Sequence, residues 1–371
     1  MTNSHRPDRR RFLRGASVVG IAGLVGCIGD DDEDDPADDT DDAEPVDDAD
    51  DEPADDTDDT DDAAEDLDDV SMEIGSTFEP GHITVECAEM FAERMDEESD
   101  GRFDVTVTPG GAYGAEDEIA ELVAGGTLEG LTGGMLPYMM YAEENYPLVS
   151  PFLAEDWDHH QRIVESDIIQ EGAIPQLIEE GNQRVLGQEV YRGVRHFTSN
   201  EPIYEPADVA GLDLRLPEID AWVEVWTEIG ASPTPVALDE MYSAVQTGVV
   251  DSTEGDVEQI SAFNLNEVQD YLTLTGHRVE TGILSFNEDF YQELDETYQE
   301  MMEEVAWEVT EEAAQIAVDR EDDLVDELGE EMEIIDEPDL DRDAFFDEAE
   351  PALERLFDER FEADLEEVRE L

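Results

Sequence analysis

All eighteen basic residues of this chain are arginine, and they face 106 Asp and Glu, for a formal charge of -88. A chain that repels itself this strongly resists compaction in dilute buffer. At about 1 M salt the Debye length falls to ~3 Å and the repulsion is screened. An acidic surface without one lysine therefore fits a protein of a very salty medium. The same charge makes nucleic acid and anionic membrane surfaces poor partners. A wholly disordered acidic chain does not fit the sequence beyond residue 71, where apolar and aromatic residues recur at regular spacing.

The N-terminus departs from this balance. Arg6, Arg9, Arg10, Arg11 and Arg14 precede a small, apolar run from Ala16 to Gly26, the layout of a charged export signal with a short hydrophobic region. The run is well under the ~20 residues a spanning helix needs. Arg9 to Arg14 resembles a twin-arginine signal. Leu24-Val25-Gly26-Cys27 resembles a lipobox, which makes Cys27 the point of lipid attachment and the start of the mature chain; a cleaved signal with a chance cysteine is the bland alternative. Residues 28–71 are mostly Asp and Glu broken by Pro, Ala and Thr. Such a segment buries too little apolar area to offset its ordering entropy, and reads as an extended acidic tether. Calcium binding by this run would be unspecific. Cys87, the other cysteine, lies on an apolar stripe and reads as a small core residue.

The remaining ~300 residues are long for a single core and point to two lobes. Ile83, Cys87, Met90, Phe91 and Met95 keep helical spacing, with Gly101 as the stop. Phe103, Val105 and Val107 alternate as a half-buried strand, and Ile119, Leu122 and Val123 predict a second helix before Gly125-Gly126. This is an α/β pattern. From Tyr298 to Leu328 the apolar positions hold helical spacing for about 30 residues, roughly 45 Å at 1.5 Å each, enough to brace two lobes. Leu353, Leu356, Phe357, Phe361 and Leu365 mark a final helix.

Motifs for catalysis are missing: no glycine-rich nucleotide loop, no nucleophile elbow, no CxxC pair. No cofactor and no metal are expected. His159-His160, with Asp156 and Asp158 nearby, reads as a solvated loop rather than a metal site. Acidic pairs are too abundant to be informative. The scarce charge is the informative one: thirteen Arg remain once the five of the signal are subtracted from eighteen, and Arg192, Arg195 and Arg215 fall close together. Arg215 lies in an alternating strand, Leu212 to Leu216, ended by Pro217, on the face opposite the leucines. Two readings are open: a surface Arg paired with a neighbouring carboxylate, or a planar fork for a ligand carboxylate.

The block Gly193-Val194-Arg195-His196-Phe197-Thr198-Ser199-Asn200, then Gly211-Leu212-Asp213-Leu214-Arg215-Leu216-Pro217, then Glu240-Met241-Tyr242-Ser243-Ala244-Val245-Gln246-Thr247-Gly248 resembles, in order and spacing, the solute-binding proteins of TRAP transporters, the DctP family, here in a haloarchaeal-type lipoprotein form. Ala88-Glu89-Met90-Phe91-Ala92, Gly114, Gly125-Gly126 and Thr275-Gly276-His277 fit the same pattern. The resemblance spans about residues 72–360. It implies a two-lobed periplasmic-binding-protein-like α/β fold (type II, TRAP subtype) with a long helix crossing both lobes. It also implies lobes made of 72–192 plus 281–320 and of 193–280 plus 321–371. By the same resemblance Arg215 grips an organic carboxylate and Arg195 assists, while Thr77, Glu116 and Asp256 align near ligand-touching positions. Sialic-acid-binding members carry an acidic residue where Gly134 stands and an Asn where Gly255 stands, so sialic acid is not the expected ligand. Asp256 and Glu254 read either as holders of a cation beside the ligand or as surface residues. The implied partners are a small organic acid and the small and large TRAP membrane subunits, on the extracellular face of the cell membrane. A sensory module that presents ligand to a receptor shares this fold; a surface hydrolase finds no support in the motifs.

Overall fold

Two strands of seventeen residues, β4 (Gln183–Ser199) and β8 (Tyr271–Asn287), form the spine of the structure. They are nearly continuously buried, as strands covered on both faces are. This computed structural model describes residues 67–371, of which 68–371 form one unit. The signal, Cys27 and the tether as far as residue 66 lie outside the described residues. The first strand, β1 (Val70–Gly75), starts with the Val70 amide donating to the Arg102 carbonyl at 2.8 Å.

The other strands are β2 (Phe103–Thr108), β3 (Gly130–Gly133), β5 (Asp213–Leu216), β6 (Ser232–Pro235), β7 (Ser252–Asp256) and β9 (Glu333–Ile335). One sheet runs in the order β2-β1-β3-β8-β4-β7-β5-β6, with β9 beside β8. β1, β2 and β3 are parallel and gather at one end of the spine, where β3 meets Ile283 to Phe286. β5, β6 and β7 gather at the other, where β7 meets Arg195 to Ser199. Between these wings β4 and β8 pair with each other, and their register shifts at Leu186/Val190, Tyr191/Gly193 and Arg195/Phe197. Extra residues at such bulges re-aim side chains and add twist.

The helix Ile83–Glu98 buries Ile83, Cys87, Phe91 and Met95 of the predicted stripe, while Met90 is only partly buried and Ala88 is buried in addition. His82 caps it by accepting from the Thr84 amide. Cys87 is buried, and its removal from water pushes the thiol up to about 12. A helix of 33 residues, Glu296–Leu328, is capped by Asp295 and lies on β4 and on the first helix. At 1.5 Å per residue it spans about 50 Å. Gly187 lets it come close: a Cβ there would stand 2.5 Å from the Ala306 carbonyl oxygen. No helix among the described residues is long and apolar enough to cross a membrane.

Two expectations need correction. The final helix is two: Arg342–Glu359 carries Leu353, Leu356 and Phe357, and Leu365–Glu370 follows. Asp364 accepts from the Glu367 amide and so starts the second helix, while Phe361 packs in the turn between them. His159 and His160 are not in a solvated loop. Asp156 caps the helix Trp157–Glu165, and both histidines are buried on it. His159 Nε2 lies 3.0 Å from the Val368 carbonyl and His160 Nε2 2.7 Å from Glu189. Each imidazole has a protein partner, which is why burial is tolerated.

Candidate functional site

Arg215 projects from β5, between Leu214 and Leu216, and is only 2% exposed. Its Nε donates to the Val236 carbonyl at 2.9 Å. Among the described residues no carboxylate lies within 4.0 Å of its guanidinium. The surface reading of Arg215 therefore fails. Burial pushes its pKa down to about 10, with Glu254 opposing the shift and the Arg195 charge adding to it. A desolvated cation with no carboxylate in contact is costly, and such residues concentrate at functional sites.

Arg195, on β4, stands in the opposite situation. Its Nε and Nη2 donate to the two oxygens of Glu254 at 2.5 and 2.8 Å, and its Nη1 donates to Glu280 at 2.9 Å. Burial disfavours its charge, but Glu254 and Glu280 outweigh burial and hold its pKa above the usual range. Glu254 is fully buried on β7; despite burial, Arg195 and His277 hold its carboxyl well below the usual range. The His277 Nε2–Glu254 distance is 3.2 Å. Glu280, on β8, is likewise buried but held down to about 2 by Arg278, Arg195 and Arg192. The Arg195 fork is thus taken by protein carboxylates, and its position fixes Glu254 beside Arg215.

A second group adjoins the first. Arg192 lies 3.5 Å from Glu280 and 3.8 Å from Asp256, with its guanidinium 4.6 Å above the Phe78 ring. Asp256 caps the following helix through the Gln259 amide, and its Oδ2 has no hydrogen-bond partner among the described residues. It is 1% exposed, so the surface reading of Asp256 and Glu254 is also wrong. Removal from water raises the pKa of Asp256 against the pull of Arg192 and Arg195. Glu116 accepts from the Gly134 amide at 2.6 Å, and desolvation raises its pKa too. A Cβ at Gly134 would stand 3.1 Å from Glu116 Oε1 and 3.5 Å from Arg192 Nη1, so glycine keeps these two groups together. Thr77 is half-buried in the loop after β1, next to Phe78. Gly255, on β7, is backed by Gln259, whose Nε2 would meet a Cβ at 2.7 Å. Among the described residues no group of three or more potential ligands is arranged to hold a metal.

Sequence reasoning missed Arg278 and Trp222. Arg278 pairs with Arg195 across β4 and β8 and is 4% exposed. Its Nη1 donates to Glu280 at 2.6 Å, while Nε and Nη2 have no partner among the described residues. The Trp222 ring lies 4.8 Å from the Arg195 guanidinium and 5.3 Å from that of Arg278. One signal was available: the strand period puts Arg278 and Glu280 on one face, next to the Thr275-Gly276-His277 block.

The arrangement is an enclosed cluster of guanidinium groups and carboxylates, flanked by aromatic rings, between the two wings of the sheet. A solute-binding protein of Roseobacter denitrificans is 32% identical over 230 residues, 60% of this chain and 70% of that protein. A Roseobacter denitrificans solute-binding structure with bound L-galactonate superposes with a TM-score of 0.68, covering 79% of this chain and 98% of that one at 26% identity. The sialic acid-binding periplasmic protein SiaP of Vibrio cholerae is 28% identical over 288 residues, 78% of this chain and 88% of SiaP. A TRAP solute-binding protein of Bordetella, with density assigned to pantoate, gives a TM-score of 0.72 at 26% identity, over 81% of this chain and 98% of that one. These relatives are solute-binding proteins rather than enzymes, and the structural neighbours share the two-lobed TRAP fold. Residues 74–360 match the family of bacterial extracellular solute-binding proteins, family 7, and the chain belongs to this DctP family.

Proposed function

We propose that this protein captures an organic acid outside the cell, with Arg215 holding the ligand carboxylate, and delivers it to the small and large membrane subunits of a TRAP transporter. The observation that carries the reading is the Arg215 guanidinium, desolvated and without a protein carboxylate within 4.0 Å. A ligand carboxylate would supply the charge and acceptors that such a group lacks. Arg195 acts here as the residue that fixes Glu254 beside Arg215, assisting binding indirectly. The L-galactonate and pantoate of the relatives favour a hydroxylated acid. Glu116 and Asp256 suit that class, since carboxylates accept hydrogen bonds from hydroxyls. Thr77, Gly134 and Gly255 line the same region in this reading. The lobes are taken as 72–192 plus 281–320 and 193–280 plus 321–371, so that closure brings Arg192 and Glu116 onto a ligand held by Arg215.

The remaining parts of the proposal concern address. A twin-arginine signal exports the chain, a lipid on Cys27 anchors it, and the acidic segment to residue 71 keeps the binding domain near its membrane partner at high effective concentration. A charge of -88 is compatible with anion capture in molar salt, where distant charges are screened more than a pair in contact. The test is calorimetric titration in molar KCl with aldonates, uronates, pantoate and matching neutral sugars. Acids are expected to bind and neutral sugars to fail. Neutral sugars binding as well as acids would refute the carboxylate clamp.

A further inference from the structure

We propose that Glu321 is a positioning residue of the binding centre: carried by the long helix, it fixes the bulge of β4 from which Arg192 and Arg195 project. This rests on the Arg215 reading and deepens it. Glu321 is 2% exposed, on the same buried helix face as Ala313, Ala317 and Leu328. A leucine would fill such a place without a desolvation cost, whereas a carboxylate there must be hydrogen-bonded. Both of its oxygens are engaged, and both meet β4. Oε2 accepts from the Tyr191 hydroxyl at 2.7 Å and Oε1 from the Val194 amide at 3.0 Å. Between these anchors lies Gly193, at a φ of +113°, where the pairing of β4 with β8 shifts register. Glycine adopts that φ freely, and a Cβ at Gly193 would stand 3.4 Å from Glu321 Oε1. Arg192 sits inside the anchored turn, and Arg195 directly follows Val194. The carboxylate therefore holds the stretch of backbone on which both guanidinium groups stand.

The contact has a counterpart one bulge earlier. Thr310, on the same helix, accepts from the Gln188 amide at 3.0 Å, within the register shift between Leu186 and Val190. Thr310 and Glu321 are eleven residues apart, about 16 Å of helix rise, and Gln188 and Val194 are six apart, about 20 Å of strand. The helix thus keeps pace with β4 and offers an acceptor to an amide at two successive irregularities. The two contacts differ in what they hold. Thr310 acts beside Gly187, where helix and strand backbones come closest, and seats the helix. Glu321 acts where the arginines begin. A buried polar group of this kind gains little stability over a well-packed apolar one, and its best-attested use is to fix register. Here it sets Arg192 against Glu280 and Asp256, at 3.5 and 3.8 Å, and Arg195 against Glu254.

The experiment compares Glu321→Leu, Glu321→Gln and Tyr191→Phe in the full chain and in molar KCl. Calorimetric titration with galactonate and pantoate reads binding, and amide hydrogen exchange without ligand reads the strand. Leucine keeps the packing and loses both bonds. Glutamine can accept from the Val194 amide and donate to the Tyr191 oxygen, so it restores both without the charge. Glu321→Leu is expected to bind both acids at least tenfold more weakly and to exchange residues 191–195 at least tenfold faster. Glu321→Gln is expected to stay within threefold of the wild type in both readouts. Tyr191→Phe, which loses one anchor, is expected to bind at least threefold more weakly. Wild-type affinity and exchange in Glu321→Leu would show that the side chain only fills space, and would overturn the proposal. So would a glutamine variant as weak as the leucine one, because the charge and not the anchored turn would then be the cause. Should Glu321→Leu fail to fold, wild-type affinity in Tyr191→Phe overturns the proposal by itself. If the wild type binds neither acid, it is the Arg215 reading that fails; the exchange of residues 191–195 then decides the role of Glu321, and unchanged exchange overturns it.

Discussion

Arg215→Met separates a residue kept for binding from one kept for the fold, because the two roles predict opposite signs. Arg215 has a folded pKa lowered from 12.5 to about 10. A base with a depressed pKa is charged at a cost in the folded state, and the cost is relieved only as pH rises past the folded value. Below pH ~9 it is constant. At 1.36 kcal/mol per unit, the difference amounts to about 3 kcal/mol of destabilisation without ligand. Methionine removes that cost and keeps much of the apolar stem, but loses the bond to the Val236 carbonyl, worth ~1 kcal/mol. The net is a ligand-free domain stabilised by about 2 kcal/mol. At roughly 2–4 °C per kcal/mol for a domain of this size class, Tm rises about 4–8 °C. Ligand affinity moves the other way. Losing the charged partner of an enclosed carboxylate costs ~2–5 kcal/mol, or roughly 30-fold to several thousand-fold at 1.4 kcal/mol per decade. Scanning calorimetry on ligand-free protein in molar KCl at about pH 7.5, followed by titration, reads both. A variant that loses binding and also melts lower than the wild type would show that Arg215 is structural, and the reasoning would be refuted.

Three further perturbations probe other parts of the molecule. Glu258 has its pKa raised to about 7 by burial and by Asp256, and lies 4.0 Å from His82. A raised acid contributes stability that is full below pH ~4.5 and lost as pH rises through about 7. Glu258→Gln should therefore flatten the fall in Tm between about pH 5 and 7.5, by up to about 3 kcal/mol; an unchanged profile would count against it. Gly187→Ala puts a Cβ 2.5 Å from the Ala306 backbone oxygen at a φ of +76°. A loss of about 2–4 kcal/mol in denaturant melts is expected, and a loss below about 0.5 kcal/mol would refute the close contact. Dilution from about 2 M to 0.1 M KCl should lower Tm by roughly ten degrees or more as screening is withdrawn, whereas a salt-independent Tm would refute the charge argument.

What could be read in advance divides along a physical line. The helix at Ile83–Glu98, strand β2 and the long helix at Glu296–Leu328 announce themselves because a period of 2 or 3.6 is local. Arg215 was legible because arginine is scarce in this composition and its strand alternates cleanly. Arg278 was not, since its open edge depends on the pairing of β4 with β8 and on three register shifts that no local pattern encodes. Glu254 and Asp256 were hidden by abundance: among 106 acidic residues, a buried pair looks like any other until β7 is placed inside the sheet. His159 and His160 misled because adjacent residues normally point apart. Here the C-terminal segment covers one and Glu189 receives the other.

The burial of Cys87 has a practical consequence. Its thiol, raised to about 12 and fully buried, is inert to maleimides at neutral pH, and the chain has no lysine amine to compete. The described residues are thus chemically silent toward common labels. Cysteines introduced at Val249, 60% exposed just before β7, and at Trp307, 56% exposed on the long helix, would carry a dye pair at two different places on the domain. The separation of the two dyes in molar salt would test, molecule by molecule, whether the domain opens and closes.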